Sequence, residues 1–210
     1  MREFGTIPPC LRIGLAFAKD TLRDCLAARM ADPQTPHHHN ERTCPVWRKP
    51  MEEFFKCNVD AGFGSDKRSF GIGMVIRDSN GSFIVSRTNF HDGAALVKEA
   101  EALAIHEALS WIKELGYDKV IVETDSKISE DEVHSEEPYF TEFGLTISAC
   151  RALIRNQSSL KFGNVRRQAN RAAHTLVKTA LQQACFGTTY VTPISIHSII
   201  MDDCNYPPED

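Results

Sequence analysis

Apolar residues follow two distinct spacings along the middle of this chain, from about residue 47 to residue 187. Short runs rich in apolar and β-branched residues predict five strands, at 54–61, 71–77, 82–90, 119–124 and 160–165. The second and third runs are separated by Asp78-Ser79-Asn80-Gly81, and Asn-Gly readily adopts the positive φ of a hairpin turn. The first three strands are therefore expected to form an antiparallel meander.

Helical spacing of apolar residues accounts for most of the remaining middle region. It predicts three helices, at 95–115, 140–154 and 168–184. The first is followed by Gly116, a residue suited to the left-handed conformation that ends many helices. After the three-strand meander the order is helix, strand, helix, strand, helix, which predicts an α/β fold with a mixed sheet.

The two ends of the chain differ from the middle, so we predict three segments: an extension at 1–46, a domain at 47–187 and a tail at 188–210. Apolar residues with helical spacing predict one amphipathic helix in the extension, at Leu11, Leu15, Ala18, Leu22 and Leu26. A stretch containing prolines and histidines at 31–45 then predicts a linker. The last segment has three prolines and no clear period, so a loose tail is expected there.

The net charge of the chain is −4, but basic and acidic residues are concentrated in different segments. Between Arg151 and Lys178 there are seven basic residues and no acidic one, whereas Glu123 to Glu142 holds eight acidic residues and one lysine. The basic segment indicates either a contact face for nucleic acid or a solvated helix face. Overall composition, 42% hydrophobic and 25% charged, is ordinary for a globular protein.

Seven widely spaced cysteines, with no CxxC pair, favour free thiols in a reducing compartment over a disulfide framework or a zinc site. No apolar run has the length of a membrane span, and no signal-peptide pattern begins the chain. A cytoplasmic or nuclear location is therefore expected. A few early arginines leave import into an organelle open.

Three acidic residues lie at positions where functional sites are expected in the predicted fold. Asp60 and Asp125 end two predicted strands, and sites in mixed α/β sheets lie outside the carboxyl ends of strands. Glu101 lies inside the apolar stripe of the first helix, formed by Val97, Ala104, Ile105, Ala108, Ile112 and Leu115. A buried carboxylate must be neutral, meet a core arginine or bind a cation. If the three converge, hard oxygen ligands select magnesium or manganese.

Gly71-Ile72-Gly73 does not have the pattern of a dinucleotide-binding loop. A third glycine is missing, and no helix begins after the second. Glycines that allow another backbone to approach a strand closely explain this sequence better.

Five short stretches match, in order, the motifs of the type 1 ribonuclease H family: KCNVDA at 56–61, GIGMVIRD at 71–78, EALAI at 101–105, ETDS at 123–126 and VRRQANRAAH at 165–174. Each alone is weak, but five in sequence are specific. The chain from about residue 47 to residue 184 therefore resembles this family. It is most similar to the plant branch related to the reverse-transcriptase-associated ribonuclease H domains of retrotransposons.

The resemblance implies a mixed five-stranded sheet, with strand order 3-2-1-4-5, flanked by helices. It implies hydrolysis of the RNA strand of RNA–DNA hybrids with two Mg²⁺ ions, or Mn²⁺ in their place. The catalytic and metal-binding residues would be Asp60, Glu101, Asp125 and His174. Contacts to nucleic acid, including the 2′-hydroxyls that distinguish RNA from DNA, would come from Ser126, Arg166, Arg167, Asn170 and Arg171.

Three departures from the family pattern bear on activity. His174 lies at the position of the family's fourth acid and adds no negative charge. Asn164 lies where a histidine is often found, which removes a candidate proton shuttle. The segment 127–134 is too polar to pack well as the helix expected there. The chain is therefore either a hybrid-cleaving nuclease or a nucleic-acid-binding module that does not cleave; a third hypothesis is an interaction fragment whose N-terminal helix binds a protein.

Overall fold

The computed structural model describes residues 46–135, 141–184 and 186–205. The predicted amphipathic helix and linker therefore lie outside the described residues. Within the described ranges, six strands form one sheet: β1 Phe55–Phe63, β2 Ser69–Arg77, β3 Phe83–Asp92, β4 Val120–Thr124, β5 Lys161–Asn164 and β6 Gly187–Thr189.

The strand order is β5-β4-β1-β2-β3-β6. β1, β2 and β3 are antiparallel, whereas β4 runs parallel to β1 and β5 runs parallel to β4. The predicted order of the first five strands is confirmed. β6, which pairs antiparallel with β3, was not predicted, because three residues are too few to show a period.

Five helices are described: α1 Val97–Leu115, α2 Lys127–His134, α3 Glu142–Arg155, α4 Arg171–Gln183 and α5 Ile194–Asp203. None of them combines the length and apolar character needed to cross a bilayer. The predictions of α1, α3 and α4 are confirmed to within a few residues. Gly116 ends α1 in the left-handed conformation, with φ 72°.

The predicted loose tail at 188–210 is wrong for the residues that form β6 and α5. Ile196 and Ile200 of α5 pack with Leu176 of α4 against the sheet. The carboxylate of Asp203 also bonds the guanidinium of Arg77, at 2.8 Å. Long-range packing therefore orders a segment that has little local pattern.

The sheet separates two layers of helices. α1 and α3 contribute to the larger core on one face, while α4 and α5 pack with Val75 on the other. The apolar stripe of α1 is buried over most of its length, but Val97 at its start is 66% exposed. Val97 was therefore wrongly included in the buried stripe.

Gly73 allows α4 to approach β2 closely. A Cβ atom at this position would lie 2.5 Å from the carbonyl oxygen of Ala173 and 2.7 Å from the Cβ of Leu176. The close-approach interpretation of the Gly71-Ile72-Gly73 sequence is confirmed. This contact brings α4 down onto the sheet face that carries Asp60.

Candidate functional site

Three carboxylates converge beside the end of β4. Asp125 follows β4 as predicted, but the prediction that Asp60 ends its strand is wrong, because β1 continues beyond it. One carboxylate oxygen from each of Asp60, Glu101 and Asp125 lies within 4.8 Å of the other two. β1 and β4 are parallel neighbours with Val59 opposite Thr124, so Asp60 and Asp125 follow at the same level. Glu101 reaches the same point from the first half of α1. The structure thus brings together three residues that are distant along the chain.

Burial and mutual repulsion make Glu101 and Asp125 hard to ionise. Burial, followed by the charges of Asp60 and Asp125, raises the pKa of Glu101 to about 8, although the Ala61 backbone N–H and Arg167 act in the opposite direction. The pKa of Asp125 is also raised, by burial and then by Asp60. Without a cation, Glu101 therefore keeps its proton at neutral pH, where an ordinary carboxyl group has lost it.

The cluster fits a hard divalent cation. Asp60 is only 3% exposed, and Oε2 of Glu101 is buried with no hydrogen-bond partner in the described part of the chain. A buried carboxylate oxygen without a partner is costly, and a bound cation would satisfy it. Because all three ligands are carboxylates, magnesium or manganese suits the site better than a softer metal.

His174 contacts one member of this cluster directly. Its Nδ1 lies 2.8 Å from Oδ2 of Asp60, and its Nε2 lies 3.0 Å from Nη2 of Arg167. The same Nη2 lies 3.5 Å from Nδ1, so the guanidinium lies close to both ring nitrogens. The ring of His174 is therefore held between a carboxylate and a guanidinium. It lies beside the three-carboxylate cluster and is not one of its members.

Asn170 connects β1 to the residue that follows β4. Its side-chain Nδ2 donates to the carbonyl oxygen of Val59, at 2.9 Å, and to Oδ1 of Asp125, at 3.3 Å. The residue is 0% exposed. The expectation that Asn170 contacts nucleic acid is thus corrected, because a fully buried side chain cannot reach a ligand. Asn170 positions Asp125.

The other predicted nucleic-acid contacts lie at or near the surface. Arg166 and Arg167 are exposed, in the loop before α4. Arg171, at the start of α4, is 46% exposed at its side chain and bonds Asp203 at 3.3 Å. Ser126 accepts a hydrogen bond from the Ser129 backbone and so begins α2. Of these arginines, Arg167 is the one that contacts the acidic site through His174.

The segment 127–134 forms α2, which is short, as its polarity indicated. The expectation that it would not pack is wrong, because Ser129 and Val133 are buried. Arg151 of α3 donates to the carbonyl oxygens of Glu132 and Val133, at 2.6 and 3.3 Å, and so ties down the end of α2. Charge on one side of a helix does not prevent packing when the other side is apolar.

Asn164, at the end of β5, bonds the neighbouring strand. Its Nδ2 donates to the carbonyl oxygen of Thr124, at 3.2 Å. An amide has no titratable proton to shuttle. The hydrogen bond instead stabilises the end of β4, which Asp125 follows.

A buried polar network behind the acidic cluster was not predicted. Lys56 pairs with Glu123 at 2.7 Å, and Asn58 donates to the same carboxylate at 2.8 Å. Asn58 also accepts from Trp47, at 2.8 Å, and from Arg77, at 2.7 Å. The two-residue spacing of Lys56, Asn58 and Asp60 along a strand was the available signal, because such residues share one face.

Solved structures of ribonuclease H1 share this fold. The enzyme from the halophilic archaeon Halobacterium salinarum is 19% identical, with a TM-score of 0.54 over 62% of this chain and 98% of that chain. LC11 ribonuclease H1, isolated from compost by a metagenomic approach and solved with an RNA/DNA hybrid, is 22% identical, with a TM-score of 0.53 and coverages of 62% and 98%. A foamy viral protease–reverse transcriptase, also solved with an RNA/DNA hybrid, is 15% identical, with a TM-score of 0.51 and coverages of 73% and 23%. The likeness establishes a ribonuclease H fold.

The family model described as reverse transcriptase-like matches residues 58–180, which is more than half of the chain. The chain belongs to this family. The resemblance to ribonuclease H found in the sequence motifs is thereby confirmed for family and fold. No protein with a curated functional description matches the chain.

Proposed function

We propose that this protein is a divalent-cation-dependent endonuclease that hydrolyses the RNA strand of RNA–DNA hybrids. The observation that carries the proposal is the convergence of Asp60, Glu101 and Asp125 within 4.8 Å on a ribonuclease H fold. Two similar structures were solved with RNA/DNA hybrids, which supports this class of substrate.

Asp60, Glu101 and Asp125 would hold Mg²⁺ or Mn²⁺. When bound, such an ion supplies Lewis acidity at a phosphate and lowers the pKa of a water molecule. The protein's own contribution is orientation: His174 fixes one oxygen of Asp60, and Asn170 fixes one oxygen of Asp125. Burial of the cluster limits the water that competes for the carboxylates.

The exposed arginines Arg166, Arg167 and Arg171 would hold the phosphate backbone beside this cluster. They belong to the basic segment from Arg151 to Lys178, which has no acidic residue. Binding through such contacts releases counterions, so affinity would fall steeply with salt. Contacts to 2′-hydroxyls, to which Ser126 would contribute, would distinguish the RNA strand from DNA.

A nucleic-acid-binding module that does not cleave is the second candidate, and His174 is the observation that favours it. Where the family pattern has an acid, this chain has an imidazole that contacts Asp60 and Arg167. A site with one anionic ligand fewer binds cations less well. Binding of the hybrid would persist, since the basic surface does not depend on that residue.

Cleavage of a labelled RNA–DNA hybrid in Mg²⁺ and in Mn²⁺ separates the two candidates. The nuclease proposal expects the wild type to cut and Asp125→Asn to be inactive. Asp118→Asn is the matched control, because it removes an equally small acid at an exposed position outside the cluster. If the wild type cuts no faster than Asp125→Asn in either metal while still binding the hybrid, the nuclease proposal fails and the binding module stands.

A further inference from the structure

We infer that two copies of this chain pair edge to edge through strand β6, so that Phe186 of each copy packs on Tyr190 of the other. Three strands separate β6 from β4, which Asp125 follows. Neither the pairing nor its test therefore depends on the proposed nuclease activity. Both copies would keep their carboxylate clusters away from the interface.

β6 lies at an edge of the described sheet. It pairs with β3 on one side, and no described strand lies on its other side. The backbone N–H and C=O groups along an open edge pair readily with another extended chain. A strand is therefore the kind of partner that this edge fits.

The side chains along this edge alternate between two environments. Phe186, Thr188 and Tyr190 are exposed, whereas the residues between them are half-buried. Arg87 of β3 donates to Oγ1 of Thr188 at 3.0 Å and lies 5.8 Å from the ring of Phe186, so both side chains are on the face that carries Arg87. Tyr190 is next in the same alternation. The edge thus presents two aromatic rings, each 69% exposed, on either side of a threonine.

This arrangement is complementary to a second copy of itself. In the antiparallel register that places Thr188 opposite Thr188, Phe186 of one copy lies opposite Tyr190 of the other, and the two-fold axis repeats that contact. Aromatic residues that face each other across two strands stabilise a sheet, and so do paired threonines. A shift of the register leaves at least one ring of each copy without an aromatic partner. A second copy therefore fits this edge better than an arbitrary strand.

Charge also favours a second copy. The segment 179–201 contains no Asp, Glu, Lys or Arg, although the chain as a whole is 25% charged. Arg87, which contacts β6, is paired with Glu114 at 3.4 Å. Two copies can therefore approach through this segment without strong like-charge repulsion. Five of the ten large apolar side chains that are exposed in the described ranges belong to the same segment, which is typical of an interaction surface.

The interface is expected to be small. An aromatic side chain buries about 150–250 Å², so a ring that is 69% exposed can still bury about 100–170 Å². The four rings of a dimer would then contribute about 400–700 Å². Val191 and Ile194, which are 77% and 74% exposed, add to this area. Interfaces below about 1,200 Å² are generally weak and reversible, so the dimer should depend on protein concentration.

Sedimentation velocity of the full chain in reducing buffer, over a range of protein concentrations, tests the dimer. We expect the wild type to change from monomer to dimer as the concentration rises. Tyr190→Lys should weaken the dimer about tenfold or more, because each dimer loses two aromatic pairs. Leu145→Lys is the matched control, since it adds the same charge at a 62% exposed apolar position on α3, and it should dimerise like the wild type. A wild type that is monomeric at every concentration, or a dimer that Tyr190→Lys leaves unchanged, would overturn the inference.

A cross-link tests the register without relying on a loss of binding. The Cα atoms of the two Thr188 residues would lie about 4.5–5.5 Å apart, which is within the range of a disulfide. Thr188→Cys should therefore form a disulfide between copies under mild oxidation, and the chymotryptic peptide 187–190 that carries it contains no native cysteine. Ser158→Cys, in an exposed turn before β5, should give no more cross-linked dimer than the wild type. If the wild type dimerises and the Thr188→Cys peptide is not cross-linked, the interface lies elsewhere and the inference is wrong.

Discussion

The guanidinium of Arg77 and the carboxylate of Asp203 form an ion pair of 2.8 Å that is buried on both sides, with side-chain exposures of 0% and 5%. The two residues are 126 positions apart, so the pair fastens the C-terminal helix α5 to strand β2. Trp47 stacks on the same guanidinium, with 3.5 Å from its ring centroid to Cζ of Arg77. Segments from both ends of the described chain therefore meet at one buried charge.

Asp203→Ala is expected to lower the free energy of unfolding by about 3–5 kcal/mol, because it leaves Arg77 charged, buried and without its carboxylate. Urea denaturation followed by circular dichroism measures this. Asp202→Ala removes the exposed neighbouring acid and should change stability by less than about 0.5 kcal/mol. Equal effects of the two variants would show that the buried pair does not anchor α5.

The raised pKa of Glu101 makes stability depend on pH when cations are removed. The carboxyl binds its proton more tightly in the folded state, with a pKa of about 8 against an ordinary value of 4.5. Its contribution to the free energy of unfolding is fully present below pH 4.5 and is lost as the pH rises through 8. In EDTA, the free energy of unfolding of the wild type should therefore fall by on the order of a few kcal/mol between pH 5 and pH 8. Glu101→Gln should reduce this loss, whereas Glu114→Gln, an exposed change on the same helix, should not.

The proton on Glu101 should also make cation affinity depend on pH. Stability without cations falls as the pH rises, whereas cation affinity should rise. An ion must displace the proton held by Glu101, so Mg²⁺ affinity is expected to rise with pH up to about 8 and then level off. Calorimetric titration in two buffers of different ionisation enthalpy measures the released protons. If the Mg²⁺ affinity is constant between pH 6 and pH 8, the ion does not displace a proton from Glu101.

Substitutions of Arg166 and Asn170 are expected to differ in their effects on nucleic-acid binding and on stability. Arg166→Gln should weaken binding of an RNA–DNA hybrid and reduce the slope of log affinity against log salt by about 1. Asn170→Ala should leave that slope unchanged and cost about 1–3 kcal/mol of stability, because Val59 and Asp125 lose a buried donor. Fluorescence anisotropy over a salt series, together with urea denaturation, distinguishes the roles. A reduced slope for Asn170→Ala would mean that this side chain reaches phosphate after all.

Gly73→Ala tests the close packing of α4 on β2. The added methyl group would lie 2.5 Å from the Ala173 carbonyl oxygen, so the helix must shift, at a cost of about 1–3 kcal/mol. Because α4 carries His174, cation affinity should fall as well. Gly163→Ala is the control, since a Cβ there meets nothing within 4 Å. The thermal midpoints of the two variants provide the comparison, and similar values would argue against a tight β2–α4 contact.

Local patterns were sufficient for most of the sheet and for three helices. Each strand from β1 to β4 has enough apolar or β-branched residues to show its spacing, and each of α1, α3 and α4 spans more than three turns. β5 has one apolar residue, Phe162, and its position was indicated by that residue together with the flanking Leu160 and Val165. β6 and α5 were missed because β6 has three residues and α5 is stabilised by α4 and by Arg77, which are distant in sequence. Such contacts leave no period in the segment itself.

The sequence alone determined which acids to consider, because Asp60 and Asp125 lie near the ends of predicted strands and Glu101 interrupts an apolar stripe. It also located His174 as a departure from the family pattern. Only the tertiary structure decided that the three carboxylates meet within 4.8 Å, that Asn170 is buried beneath Asp125, and that His174 is held between Asp60 and Arg167. Spacing along the chain specifies which face a side chain occupies, whereas distances, protonation and hydrogen-bond direction depend on groups that folding brings from elsewhere.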